Sequence, residues 1–356
     1  MSERFLSVPG KLFLSGEYAV LWGGTSRIAA VGPRLSAHVK RREDREVHLV
    51  VEEGRLSGHA TPLGVSWSRE VPQGFRFAAR ALGEAFRAHG REGTGLSLAI
   101  SPSFAEGGGQ KLGMGGSARA CVLAAEAARF ALDERFDTLK LSLVSHAVEQ
   151  GMKGSGGDVA SVFAGGIIRY KRYAVDALAK ASSSGTYGAA IAESPPVEVA
   201  RLPETTARLV YAFAGESAST TKLIGSVESR LSVEARQAFV AQSDEAGELL
   251  EQGLVRGDFA AVREAVPKLH KLLCGLGPLE TESMKRILAL TQSFGGVGKI
   301  SGAGGGDGVV LFAPDDAVRA ELLEGLKTRG FLALPLEIEP GLRGEPAIAE
   351  SIKGWI

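Results

Sequence analysis

Hydrophobic positions along this chain recur with two different periods, and the changeovers mark its elements. Short apolar runs at 4–8 and 12–14 read as strand, with Pro9-Gly10 as the bend between them. Gly16-Glu17-Tyr18-Ala19-Val20 follows as a turn into a second apolar segment. Further strands are predicted at 35–40 and 46–52, where Val47, Leu49 and Val51 alternate with His48 and Val50, and the charged run between the two suits a hairpin tip. Over 72–89 the period becomes helical through Phe75, Ala78, Ala79, Leu82 and Phe86, and His89-Gly90 supplies the stop. Alternation returns at 95–101, with Leu96, Leu98 and Ile100 on one face. A helix is predicted from Ser117, as its cap, through Ala118, Cys121, Val122 and Ala125.

A second helix is expected at 138–149, a short one after Asp158, and an exposed strand at 169–173, where the sequence reads RYKRY. Ala, Ser, Gly and Pro blur the pattern over 178–197, so a domain boundary is placed near 195–205, giving domains 1–200 and 201–356. Beyond it the pattern predicts strand 207–213, helices near 219–229, 232–254, 258–274 and 281–292, strands 297–301 and 308–312, helix 315–328 and strand 331–338. An α/β half is thus followed by an α+β half.

Three glycine-rich stretches punctuate this order: PGKLFLSGEYAVL at 9–21, GGGQKLGMGGSARA at 107–120 and KISGAGGGDGVVLF at 299–312. Residues without a Cβ let backbone wrap closely around a bound group. The middle stretch leaves a strand and opens a helix, so its amide N–H groups and the helix dipole converge on an anion, most plausibly a nucleotide phosphate. Gly113, Gly115 and Gly116 permit close approach, Ser117 is a cap or a Mg²⁺ ligand, and Lys111 is a nearby point charge. The plainer reading is a loop that turns a corner. Lys11 taken alone reads as solvated surface, and Asp158 taken alone as a helix cap. Neither a G-x-x-x-x-G-K-[ST] nor a complete G-x-G-x-x-G is present, which argues against a P-loop NTPase, a protein kinase and a Rossmann dehydrogenase.

Composition narrows the remaining classes. Lys plus Arg equals Asp plus Glu at 41 each, so no global basic field recruits nucleic acid or an anionic membrane. Cys121 and Cys274 have no CxxC spacing and the six His are scattered, so neither a disulfide framework nor a zinc cluster is indicated. With no signal-peptide core and no apolar run of membrane length, a soluble chain in a reducing cytoplasm is expected.

The identity and order of the three glycine stretches resemble the GHMP kinases, small-molecule kinases named for galactose, homoserine, mevalonate and phosphomevalonate. The resemblance spans positions 9 to 312. Within the family, PGKLFLSGEYAV, SHAVEQGMKGSGGDVASVFAGGIIRYKRY at 145–173, AGESASTTKLIG at 214–225 and Asp307 closing GAGGGD are most similar to the phosphomevalonate kinases. The resemblance implies a two-domain fold: an N-terminal α/β domain whose phosphate loop lies over its sheet, and a ferredoxin-like C-terminal α+β domain. It implies ATP and Mg²⁺ as cofactors, a small-molecule acceptor as partner, a monomer or homodimer, and transfer of a phosphoryl group to 5-phosphomevalonate. The alternatives are mevalonate or another small acceptor, and a ligand sensor that keeps the scaffold without the chemistry.

Carried over residue by residue, the resemblance makes Lys11 and Asp158 a catalytic pair. It places Lys111, Gly113, Met114, Gly115, Gly116, Ser117 and Ala118 around the nucleotide phosphates, with Ser117 reaching the metal. Glu149 is the candidate second metal carboxylate, although its spacing to Asp158 departs from the mevalonate kinase pattern. Lys11, Glu17, Tyr18, Ser155, Gly156, Arg119, Ser301, Gly302, Ala303 and Gly304 are the substrate-binding candidates, while Gly305 continues the third motif. Two positions depart from the family: Gly116 replaces a more usual Ser, and Arg119 stands where a small residue is common. A cation in the first helical turn opposes the dipole, so Arg119 is either an anion ligand or exposed surface.

Overall fold

The computed structural model describes residues 2–91, 94–102, 112–215 and 220–356, the side chains of 220–222 excepted. Among these residues the first sheet is built from β1 (Glu3–Ser15), β2 (Ser26–Arg41), β3 (Glu46–Val51), β4 (Gly54–Thr61), β5 (Gly64–Trp67), β6 (Leu96–Ile100), β7 (Ile167–Tyr170) and β8 (Val199–Arg201). The second contains β9 (Arg208–Phe213), β10 (Val297–Ile300), β11 (Gly308–Ala313) and β12 (Ala333–Leu336), after which β13 (Arg343–Glu345) returns to the first.

The first sheet runs β13-β1-β2-β6-β3-β4-β5, with β7 on the near half of β2 and β8 beyond it. The stretch between 41 and 46 is therefore not a hairpin tip. Strand β6 lies between its two flanking strands, antiparallel to β2 and parallel to β3. Helices α1 (Arg76–His89), α2 (Gly116–Leu132), α3 (Thr138–Glu149) and α4 (Gly157–Ala164) bury their apolar faces with this sheet in one core that includes Val39, Leu49, Leu82, Phe86, Val122 and Val144. The weakly patterned 178–197 region contains α5 (Asp176–Ala181) and α6 (Tyr187–Glu193). The expected exposed strand at 169–173 is displaced toward the N-terminus, as β7 covers 167–170 and Tyr170 is buried.

The second sheet is antiparallel in the order β12-β9-β11-β10. Its connections, helices between β9 and β10, the glycine loop 301–307 to β11 and a helix before β12, make it a ferredoxin-like split unit. The helices are α7 (Thr220–Glu228), α8 (Val233–Arg256), α9 (Phe259–Gly275), α10 (Glu282–Ser293) and α11 (Asp316–Lys327).

Strand β1 belongs to both cores, and a bulge at Pro9-Gly10 arranges this. The predicted bend is a register shift within one continuous strand, between Val8 and Gly10. Before it Leu6 and Val8 face the helices; after it Phe13 does so, while Leu12 and Leu14 join Leu209, Tyr211 and Val310. Lys11 thus shares the face of Phe13, the face that looks toward the start of α2. The return of the chain to β1 is fixed by the mostly buried Arg34, which donates to the carbonyl oxygens of Ser7, Pro340 and Gly341.

Candidate active site

A cavity of about 500 Å³ opens where β1, the start of α2, the start of α4 and the β10–β11 loop meet. Its size is that of small-molecule sites. Three of its walls are the glycine stretches.

Helix α2 is capped by Gly115 in the left-handed region (φ 80°), and no side chain caps it. Ser117, expected as the cap, lies inside the first turn instead. Gly115 is needed twice over, because a Cβ there would also lie 2.9 Å from Lys11 Cγ. The Lys11 amide donates to Met114 O at 3.2 Å, tying β1 to the loop, and the Lys11 ammonium lies 5.4 Å from the Phe13 ring centre. Gly113 is also left-handed, and a Cβ on it would approach the Asp307 carboxyl carbon at 3.0 Å, so the second and third glycine loops meet here. The first turn of α2 carries no acidic residue, leaving its positive end uncompensated. Lys111 lies outside the described residues.

On the facing side α4 starts after left-handed Gly156, with Asp158 in its first turn and Ser155 just ahead. The Lys11–Asp158 ion pair implied by the family resemblance is absent among the described residues. Asp158 Oδ2 instead lies 3.7 Å from His146 Nε2, which is 3.0 Å from Ser117 Oγ. His146 is fully buried, its ring centre 5.0 Å from that of Phe77 with the two rings tilted by 35°. Burial pulls its pKa below the ordinary histidine value, which Asp158 opposes and Lys11 reinforces, so the imidazole is neutral at pH 7. This Ser117–His146–Asp158 line was not anticipated. Its sequence trace is weak, because His146 is one of four polar residues, with Lys140, Ser142 and Ser145, in the stretch LKLSLVSHAV.

The third loop is held at several points. Ser301 Oγ donates to Phe13 O at 3.0 Å and Tyr18 Oη to Ala303 O at 2.8 Å, while Tyr211 Oη on β9 donates to Leu112 O of the second glycine stretch at 2.7 Å. Gly302, Gly304 and Gly305 are all left-handed, and Gly304 packs on Leu279. Lys299, unremarked in the sequence beyond failing a P-loop, is completely buried and ion-paired with Glu17. Glu17 and Tyr18 border the cavity, but their polar atoms are engaged by Lys299 and Ala303.

Two candidates sit differently from expectation. Glu149 is gripped by Arg76 at 2.5 Å and Arg80 at 3.3 Å and lines a separate cavity beside α1, so the structure does not bring it to the glycine loops. Arg119 is not exposed surface: it is 4% accessible and lines the main cavity. Nη1 donates to Pro33 O at 3.3 Å, and among the described residues Nε has no partner and no carboxylate pairs with the group. Burial alone pulls its pKa down to about 10. The guanidinium remains charged at neutral pH and borders the cavity without a counter-ion among the described residues.

Comparison with known proteins agrees with this geometry. Residues 250–331 match the family described as GHMP kinases C terminal. The chain is 28% identical to phosphomevalonate kinase of Streptomyces sp. (strain CL190), over 94% of this chain and 96% of the relative. It is 23% identical to mevalonate kinase of Thermococcus sibiricus, over 96% and 98%. Among solved structures, phosphomevalonate kinase of Streptococcus pneumoniae, in complex with phosphomevalonate and AMPPNP, superposes with a TM-score of 0.79 at 20% identity, covering 94% of this chain and 99% of that one. The chain thus carries the two-domain GHMP kinase fold from end to end and, in sequence, resembles the phosphomevalonate kinases of that family.

Proposed function

We propose that the protein is a Mg-ATP-dependent kinase that transfers a phosphoryl group to 5-phosphomevalonate, giving 5-diphosphomevalonate and ADP. The observation that carries this reading is Arg119: a buried guanidinium on the same cavity as Lys11, without a carboxylate partner among the described residues, creates a demand for anionic ligands beyond what the α2 terminus already makes. A second phosphate, on the acceptor, meets that demand. The similarity to a phosphomevalonate kinase over nearly the whole chain supports the same acceptor.

The residues fit a nucleotide. The Gly113–Gly115 cradle has no room for a Cβ, and Gly116 and Ser117 of the first turn of α2 line the same cavity. Ser117 is the hydroxyl placed to reach a metal ion, with His146 fixing its rotamer. Residues 1–200 would supply this half of the site and 201–356 the third loop. When bound, Mg-ATP supplies the phosphoryl group and a divalent charge. Lys11, Arg119 and the loop N–H groups hold the converging anions in line and neutralise them. A phosphate monoester, with its second pKa at about 6, is already dianionic and needs no proton removed. Asp158 therefore orients its neighbours and does not act as a general base.

The test is ADP release with Mg-ATP across 5-phosphomevalonate, mevalonate, homoserine and galactose, with the product mass checked. Turnover is expected with 5-phosphomevalonate. The Thermococcus similarity favours mevalonate as the second reading, and preferential turnover of mevalonate would establish it. Replacing Arg119 by Ala should raise the KM of one anionic substrate by about 10–100-fold, the worth of a charge-assisted hydrogen bond. Unchanged KM for both substrates would remove Arg119 from the site.

A further inference from the structure

Away from the cavity, α9 and the segment leading to α10 bring together three donors that the site does not use. His270 and Cys274 are four residues apart on α9 and share one face. Glu280 comes from the loop beyond it. The candidate ligand atoms of these three all lie within 4.8 Å of one another: His270 Nε2 is 2.9 Å from Glu280 Oε1 and 3.5 Å from Cys274 Sγ. The sequence spacing gave no warning, because one helical turn and a loop, not a CxxC, create the cluster.

We propose that His270, Cys274 and Glu280 form a site for a borderline divalent transition-metal ion of the Zn²⁺ class, tied to the third glycine loop. A tetrahedral ion with Zn–N and Zn–O near 2.05 Å and Zn–S near 2.3 Å sets its ligands apart by about 3.6 Å for N and S and about 3.4 Å for N and O. The nitrogen–sulfur spacing already matches, and Glu280 has to withdraw by about 0.5 Å. All three side chains are only partly buried, which leaves an entry path and a fourth position for water. The donor set of thiolate, imidazole and carboxylate discriminates against Mg²⁺, which prefers oxygen ligands.

The local charge permits a cation. The nearby ammonium groups are each held by their own carboxylate, Lys299 by Glu17 and Lys285 by Glu282. Binding releases the Cys274 thiol proton to solvent and places the imidazole proton on Nδ1, so one thiolate and one carboxylate balance the ion. Nδ1 is buried without a partner, so the outer contact that usually strengthens a metal-bound histidine is missing. Affinity should therefore fall about 10–100-fold below a fully supported site.

The link to the loop is short. Leu279, beside Glu280, accepts from Gly305 N–H at 2.7 Å and packs against Gly304. An ion that fixes Glu280 also fixes the anchor of residues 304 and 305.

The experiment titrates Co²⁺ alone into metal-free, untagged protein. One equivalent should give a thiolate-to-metal band in the near ultraviolet with the visible bands of a four-coordinate ion. Zn²⁺ should displace it and excess Mg²⁺ should not. Cys274→Ser should abolish the near-ultraviolet band and weaken binding by at least about 10-fold. If that variant does not fold, His270→Gln, which keeps the thiol, should show the same weakening. Absence of the band in the native protein, or its survival in Cys274→Ser, overturns the site. Amide exchange at Gly305 should slow when Zn²⁺ is bound, and unchanged exchange overturns the coupling to the loop.

Discussion

Lys11→Met is expected to lower kcat by about 10²–10³-fold, the loss typical when one preorganised charge is removed from a transition state. Binding of AMPPNP, measured by calorimetry, should change far less. The lysine stem lies against Gly115, and its ammonium has no carboxylate partner among the described residues, so its charge is available to a ligand. Methionine keeps the stem packed and removes only that charge. Asp158→Asn is the informative companion. With a dianionic acceptor no base is required, and the loss should stay within about 10-fold, whereas a hydroxyl acceptor that relies on Asp158 as base would lose about 10²–10⁴-fold. Equal, total loss in both variants contradicts the roles assigned here.

Lys299→Met should destabilise the protein by about 3–5 kcal/mol, because it leaves the Glu17 carboxylate buried without its cation. Lys299 is wholly inaccessible and Glu17 is 9% exposed, with only its edge on the cavity, so water replaces the partner poorly. Burial already pulls the Lys299 pKa down against the pull of Glu17. The double variant Lys299→Met with Glu17→Gln should recover much of the loss, since it removes the stranded charge. Urea unfolding of the three proteins measures this, and a single variant as stable as the native chain would show that the pair contributes little.

The parts of the molecule that the sequence announced are those set by local chemistry. The helices α8 to α11 and the strands around them follow the apolar period closely, and the glycine loops declared themselves because positive φ and close approach leave few other residues possible. What escaped was decided by partners distant in sequence. The half of β2 before residue 35 is buried against β1 and β7 and shows no clean alternation. Strands β4 and β5 are short and rich in Gly, Ser and Thr. The misplaced hairpin at 41–46 arose because β6, fifty residues later in the chain, separates two strands that looked adjacent. In the candidate site, Lys11, Asp158 and the loop residues were legible from motif order. His146 and Lys299 were not, since a polar residue among apolar neighbours does not reveal which side chain it meets across the fold.

The position of β13 has a consequence for the nascent chain. Strand β1 precedes every other described strand in the chain and so is synthesised before them, yet its outer neighbour is made from residues 343–345, which follow all the other described strands. Until then one margin of the first sheet carries N–H and C=O groups with nothing to pair them, a surface that invites another chain. Vectorial synthesis therefore cannot close this sheet as it proceeds. The β1 margin stays open until residues 343–345 have been made.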